Sequence, residues 1–118
     1  MSLHENIAGL KSQIEQKLPA TTRAIMDQAT SNLKSSGIMD GVVKGGEALP
    51  TFTLPNQDGV PFNLERILVD GPLVVSIFRG AWCPYCMLEL EALEKEAQGF
   101  RDAGATLLII SKALSFLF

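Results

Sequence analysis

Two cysteines, Cys83 and Cys86, are the residues of this 118-residue chain whose type and spacing point most directly to chemistry. They stand in the segment Cys83-Pro84-Tyr85-Cys86, and the chain contains no other cysteine. A disulfide stabilises a fold mainly by closing a long loop, and neighbours this close in sequence close almost none. The pair therefore favours redox chemistry over a structural crosslink. It is also typical of a reducing compartment, so we expect a cytoplasmic protein.

The cysteine pair follows an apolar run and precedes a helical pattern, which predicts a strand-to-helix junction. The run, residues 73–78, is rich in β-branched residues and favours a buried parallel strand. Pro84 suits the first turn of a helix, so Cys83 is predicted at the helix N-terminus, where free N–H groups stabilise a thiolate. Cys86 is one turn further along the same side. It can therefore attack a mixed disulfide formed by Cys83.

Two other interpretations of the cysteine pair carry less weight. A zinc site needs about four ligands. The chain offers one CxxC segment and a single histidine, His4, so a zinc site would have to be shared between two chains. The cysteines could also be inert core residues, but a position between strand and helix favours a reactive pair. We predict no metal site and no cofactor.

Three neighbours of the cysteines are candidates for supporting roles. Trp82 either forms a platform for a substrate or packs as an ordinary aromatic residue. Arg79 either stabilises a thiolate by its charge or ends the strand as a solvated cation. Glu89 either assists proton transfer or, as we favour, is an exposed glutamate of the helix surface.

The rest of the chain predicts an α/β protein: an N-terminal helical pair and a β-hairpin, followed by a strand–helix–strand unit. Apolar residues at helical spacing predict helices over residues 3–18 and 20–36, with Gly37 as the stop and a flexible joint to Gly46. The hairpin is predicted over residues 49–64, with its turn at 56–59. The helix after Cys86 is expected to end at Gly99, before a buried strand over residues 105–110.

These elements suggest two domains, a helical arm over residues 1–43 and an α/β domain over residues 44–118. The arm is either a dimerisation or docking face or, as we favour, a helical hairpin packed on its own domain. The net charge of −3 with no basic block argues against nucleic acid as a partner. No apolar stretch approaches the roughly 20 residues that cross a bilayer, and no signal peptide is evident, so we expect no membrane association.

The segment Phe78-Arg79-Gly80-Ala81-Trp82-Cys83-Pro84-Tyr85-Cys86 resembles the active-site region of the alkyl hydroperoxide reductase/thiol-specific antioxidant (AhpC/TSA) family, whose members are peroxiredoxin-like. Residues 46–54 with Asp58-Gly59 also resemble that family's N-terminal hairpin. The resemblance implies a thioredoxin-like fold and an antioxidant thiol enzyme. It further implies a thiol protein or a small thiol as electron donor.

The resemblance leaves the order of attack open. By analogy with thioredoxins, Cys83 attacks and Cys86 resolves the mixed disulfide. The peroxiredoxin pattern Pro-x-x-x-Thr-x-x-Cys instead places its cysteine on Cys86, its threonine on Cys83 and its proline on Arg79. Because two of those three positions depart from the peroxidase pattern, a CxxC dithiol oxidoreductase is the leading hypothesis. A hydroperoxide-reducing thiol peroxidase is the alternative, and a non-catalytic module that oligomerises through its helical arm is the third.

The family resemblance also implies an incomplete fold. No proline follows Pro84, and residues 111–118 do not resemble the family's continuation, so we expect a member truncated at its C-terminus whose activity is impaired. A two-stranded parallel unit has a thin core, and the apolar residues 115–118 favour contact with a partner. A homodimer formed through the open sheet edge or the N-terminal helices would complete this thin core.

Overall fold

The computed structural model describes residues 1–112, and the chain divides into two compact units, Met1–Pro50 and Thr51–Phe118. The domain boundary predicted at residues 43/44 stays a prediction, because compactness alone does not show which segment folds independently. The apolar end predicted to seek a partner, residues 115–118, lies outside the described residues. No described helix is both long and apolar enough to cross a membrane.

The first unit consists of two helices, α1 (Leu3–Lys17) and α2 (Ala20–Ser35), as predicted. Ser2 begins α1 with a reciprocal cap: its hydroxyl accepts from the Glu5 N–H at 3.2 Å, and its own N–H donates to the Glu5 carboxylate at 2.7 Å. These hydrogen bonds lower the pKa of Glu5, the backbone donor having the largest effect. The cap fixes where α1 starts.

The segment after α2 is more ordered than a flexible joint. Gly37 has a φ of 79°, a left-handed conformation that glycine adopts without steric cost, and it ends α2 as predicted. A 3-10 turn, Ile38–Gly41, follows inside the predicted glycine joint. The predicted apolar face of α2 is exposed at Ile25 and Leu33. The structure therefore leaves both interpretations of the helical arm as predictions.

The β-hairpin is confirmed, with strands of three residues each. Strand β1 (Thr53–Pro55) pairs antiparallel with β2 (Pro61–Asn63), and the two prolines face each other at the turn end. The strands are shorter than predicted: the hairpin was expected over residues 49–64, but β1 begins at Thr53 and β2 ends at Asn63. The Asn56 side chain closes the turn by accepting from the N–H groups of Asp58 (2.9 Å) and Val60 (3.0 Å).

A short helix that the sequence did not predict, α3 (Leu64–Leu68), follows the hairpin directly. The Asn63 side chain caps it by accepting from the Glu65 N–H at 2.8 Å. Leu64, at 2% exposure, is the most deeply buried apolar residue of the hairpin region. The helix has five residues, too few to show a repeating apolar face.

The strand–helix–strand unit has the predicted order and a parallel sheet. Strand β3 (Leu73–Phe78) pairs in parallel with β4 (Thr106–Ser111) along its whole length. Between them lie α4 (Pro84–Lys95) and α5 (Ala97–Asp102). The prediction that one helix continues to Gly99 is wrong, because α4 ends at Lys95 and α5 runs through Gly99. This mixed α/β arrangement agrees with a partial thioredoxin-like fold.

The prediction that β3 is buried on both faces is also wrong. Ser76 is buried on the face that α4 covers, where its hydroxyl donates to the Glu89 carboxylate at 3.2 Å. The next residue, Ile77, points to the opposite face and is 73% exposed. A single helical layer therefore covers one side of this sheet among the described residues, and Ile77 remains open to solvent on the other side.

The turn before β3 gives a test of the unit's backbone. Gly71 has a φ of 141°, and a Cβ there would collide with the carbonyl oxygen of Gly104. Gly71→Ala should lower the free energy of unfolding by about 1–3 kcal/mol in a urea titration. The matched control is Gly99→Ala in α5, where the nearest atom to a new Cβ is 3.9 Å away. Gly99→Ala should leave the free energy of unfolding unchanged or raise it by up to about 1 kcal/mol. Equal changes in the free energy of unfolding for the two variants would contradict the described turn.

Candidate active site

Both cysteines lie at the N-terminus of α4, at the end of β3, where the sequence placed them. Cys83 is the N-cap residue, with extended backbone angles (φ −90°, ψ 110°), and Pro84 is the first residue of the helix. The Cys83 N–H donates to the Gly80 carbonyl at 3.0 Å, and its carbonyl accepts from the Met87 N–H at 3.1 Å. These two bonds fix the turn that joins strand to helix. Pro84 also stabilises the helix start. Its missing N–H has no cost there, because the first N–H groups of a helix have no partner within the helix.

The two cysteine side chains are largely shielded from solvent. Both cysteines are free thiols; Cys83 is 2% exposed and Cys86 is 9% exposed. The Arg79 backbone N–H donates to the Cys86 sulfur at 3.4 Å. A substrate must therefore approach a Cys83 that is largely buried.

The surroundings of Cys83 favour its thiolate. Burial raises the pKa of the Cys83 thiol, but the hydrogen bonds from the Cys86 side chain and from the backbone N–H groups of Cys86 and Tyr85 act in the opposite direction. The positive charge of Arg79 adds to them, and the net pKa of Cys83 lies below its ordinary value. Free N–H groups at a helix N-terminus are expected to have this effect. The lowered pKa makes Cys83 a candidate nucleophile.

Arg79 and Trp82 form a stacked pair beside Cys83. The guanidinium carbon lies 4.7 Å from the centre of the Trp82 ring, a cation–π contact. Trp82 is 67% exposed, so it is not a core aromatic residue. Gly80 is buried beneath the pair, and a Cβ at that position would collide with the indole. Glycine at this position is thus required for the indole to lie where it does.

Ser76 and Glu89 form a polar contact next to the cysteines that the sequence analysis missed. Glu89 was expected on the exposed helix surface, and that prediction is wrong: it faces β3 and accepts from Ser76. Cys86 and Glu89 lie three residues apart, on one face of α4. The available signal was a lone serine inside an apolar strand, which predicts a polar partner across the interface.

Within residues 1–112, no cluster of three or more His, Cys, Asp or Glu side chains is suited to hold a metal ion. His4 belongs to the first unit, in α1. The described cysteine pair therefore has two sulfur ligands to offer, fewer than a structural zinc site uses.

Comparison with known proteins now identifies the family. The profile of the AhpC/TSA family matches residues 45–116, more than half of the chain. The chain belongs to the AhpC/TSA family. No solved structure matches it significantly.

Several curated proteins are similar to the chain over part of their length. A Mycobacterium tuberculosis (strain ATCC 25618 / H37Rv) protein provisionally named a peroxiredoxin is 38% identical over 60 residues, 51% of this chain and 34% of that protein. Chloroplastic peroxiredoxin Q of Oryza sativa subsp. japonica is 31% identical over 93 residues, covering 79% of this chain and 41% of that protein. The wheat (Triticum aestivum) peroxiredoxin Q is 28% identical over 95 residues, 80% of this chain and 43% of its own. The chain thus spans less than half the length of these relatives.

The effect of the Cys86 side chain, which lowers the pKa of Cys83, predicts different outcomes for two substitutions of Cys86. Cys86→Ala removes the side-chain donor and should raise the pKa of Cys83, whereas Cys86→Ser keeps a hydroxyl donor and should raise it less. The measurement is the pH dependence of iodoacetamide alkylation, in which Cys83 is the single reactive thiol of either variant. Equal midpoints for the two variants would show that the side-chain donor has no influence on Cys83.

The lowered pKa of Cys83 also predicts how stability depends on pH. Between the native pKa of Cys83 and the ordinary thiol value of about 8.5, the unfolded chain holds a proton that the native thiolate has lost. The free energy of unfolding of the reduced protein should therefore rise with pH across that window and fall as pH drops through the native pKa. Urea titrations at several pH values measure this slope. Cys83→Ser should flatten it, and an unchanged slope would contradict a native Cys83 thiolate.

Proposed function

We propose that this chain is a thiol oxidoreductase that cycles Cys83 and Cys86 between a dithiol and a disulfide. The observation that carries the proposal is the position of Cys83 as the N-cap residue of α4, one helical turn before Cys86 and at the end of β3. Although burial raises the pKa of Cys83 there, the Cys86 side chain and the backbone N–H groups of Cys86 and Tyr85 lower it below its ordinary value. A lowered pKa increases the fraction of nucleophilic thiolate near neutral pH. Membership of the AhpC/TSA family supports thiol-based chemistry at the same residues.

With a disulfide substrate, the cycle has two exchange steps. The Cys83 thiolate attacks one sulfur of the substrate, a Cys83–substrate disulfide forms, and the other sulfur leaves as a thiolate with the electron pair of the broken bond. Cys86 then loses its proton to solvent, and its thiolate attacks the Cys83 sulfur. The second substrate thiolate leaves, and the substrate has gained two electrons from the dithiol.

Reduction of the Cys83–Cys86 disulfide restores the enzyme. A thiol protein or a small thiol attacks it by the same exchange chemistry and supplies the two electrons. The donor, the cytoplasmic location and the homodimer remain predictions from the sequence.

Hydroperoxide reduction is a second candidate function, because the similar proteins from wheat and rice are named peroxiredoxin Q. There a cysteine thiolate attacks one peroxide oxygen, the O–O bond breaks, an alcohol or water leaves, and the sulfur becomes a sulfenic acid. The second cysteine condenses with it to the disulfide and releases water. The peroxiredoxin pattern places the attacking sulfur at Cys86, so the two candidates differ in which cysteine is essential for the first step.

Single cysteine variants separate the candidates. With insulin disulfides as substrate, wild-type protein should turn over, while Cys83→Ser should lose the reaction entirely. Cys86→Ser should retain the first attack and stall as a mixed disulfide, detectable by mass spectrometry. Turnover by the wild type no greater than by Cys83→Ser would refute the dithiol cycle.

The same variants treated with hydrogen peroxide test the second candidate. If the peroxidase pattern applies, Cys83→Ser should form a sulfenic acid on Cys86, and Cys86→Ser should stay unmodified. The reverse result assigns the first attack to Cys83 for both substrates. If neither thiol reacts with disulfide or peroxide, the third hypothesis, a non-catalytic module, replaces both.

A further inference from the structure

The stacked Arg79–Trp82 pair has properties that the dithiol cycle alone does not require. Trp82 is a large aromatic residue that is two-thirds exposed, and Gly80 beneath it leaves the space that its indole occupies. Arg79 is also exposed, and within residues 1–112 it makes no ion pair with a carboxylate. A cation with an aromatic support and an accessible edge can bind an anion.

Arg79 contacts Trp82 through its guanidinium group, whose carbon lies over the indole ring, 4.7 Å from the ring centre. A guanidinium binds carboxylates through its N–H groups, often in a bidentate arrangement, and a cation–π contact does not provide those groups with a carboxylate partner. The indole also restricts the side chain, so less entropy is lost when a ligand binds.

Because Cys83 is buried, a cation that binds the substrate beside it would help the substrate reach the sulfur. Cys83 is 2% exposed, so a substrate must be held next to it for the sulfur to be reached. Trp82 is the residue directly before Cys83, and the charge of Arg79 acts on the Cys83 sulfur. A group bound to Arg79 is therefore close to the nucleophile.

We propose that Arg79, supported by Trp82, binds a carboxylate carried by the substrate and so gives the enzyme a preference for anionic disulfides. The inference rests on the proposed dithiol cycle, because it concerns the substrate of the same Cys83. The neutral counterpart of such a substrate would react at the same sulfur without the contribution of Arg79.

Two aromatic disulfides test the preference. The dithiobis-nitrobenzoate disulfide carries a carboxylate on each ring, and dithiodipyridine is neutral; both release a chromophoric thiol when Cys83 attacks. Arg79→Gln lowers the thiolate fraction of Cys83 for both probes alike, so the informative quantity is its effect on one probe relative to the other. We expect the anionic probe to lose roughly fivefold more rate than the neutral one.

Further variants and salt separate binding from general electrostatics. Arg79→Lys should retain part of the preference. Trp82→Phe should keep more of it than Trp82→Leu, which removes the aromatic support. Arg66→Gln is the matched control, an exposed arginine in α3 of the same unit, and should leave the preference unchanged. Added salt should slow the anionic probe in the wild type more than in Arg79→Gln.

The outcomes distinguish this inference from the proposed function. If both probes oxidise the protein to the Cys83–Cys86 disulfide but Arg79→Gln changes their rates by the same factor, the carboxylate site is refuted and the dithiol cycle stands. An equal loss of preference in Arg66→Gln would also refute it, as an effect of net charge. If neither probe produces the internal disulfide, the proposed function fails and the inference fails with it.

Discussion

The chemistry proposed for this protein depends on the balance between burial and hydrogen bonding at one sulfur atom. Burial alone would keep Cys83 protonated, because a thiolate loses its hydration in a shielded site. The Cys86 side chain, the backbone N–H groups of Cys86 and Tyr85, and the charge of Arg79 lower the pKa of Cys83 and outweigh that effect. The N–H groups are available because the first N–H groups of a helix have no partner within the helix, and Cys83 is the N-cap residue of α4.

The elements around the strand-to-helix junction fix the residue at which α4 begins. Strand β3 carries the chain to Gly80, whose carbonyl accepts from the Cys83 N–H, and Pro84 begins the helix. Further along, the bond between Ser76 and Glu89 ties α4 to β3 across an otherwise apolar interface. Buried polar contacts of this kind fix one relative position of two elements more strictly than apolar packing does. The site is thus positioned by a strand, a tight turn and one polar contact.

Much of this could be predicted from the sequence, and the misses have physical causes. The run at residues 73–78 and the CxxC segment predict the strand-to-helix junction because both signals are local. The sequence pattern did not predict helix α3, because the formation of this helix depends on the Asn63 cap and on the burial of Leu64. The exposure of Ile77 and the inward position of Glu89 depend on how many layers cover the sheet. A sequence pattern reports periodicity, and it does not report what packs on each face.

The departure from the peroxidase pattern at Arg79 also affects hydrogen bonding at the cysteines. A proline at position 79 would have no N–H, but Arg79 has one, and it donates to the Cys86 sulfur. The sulfur of Cys86 thus accepts from the strand, while the Cys86 side chain lowers the pKa of Cys83. In the proposed cycle, an Arg79 N–H that stayed on Cys86 once Cys83 had entered a mixed disulfide would stabilise the thiolate that must form there. This backbone group would then support attack by Cys83 in the first step and by Cys86 in the second, an order that a proline at position 79 would not support.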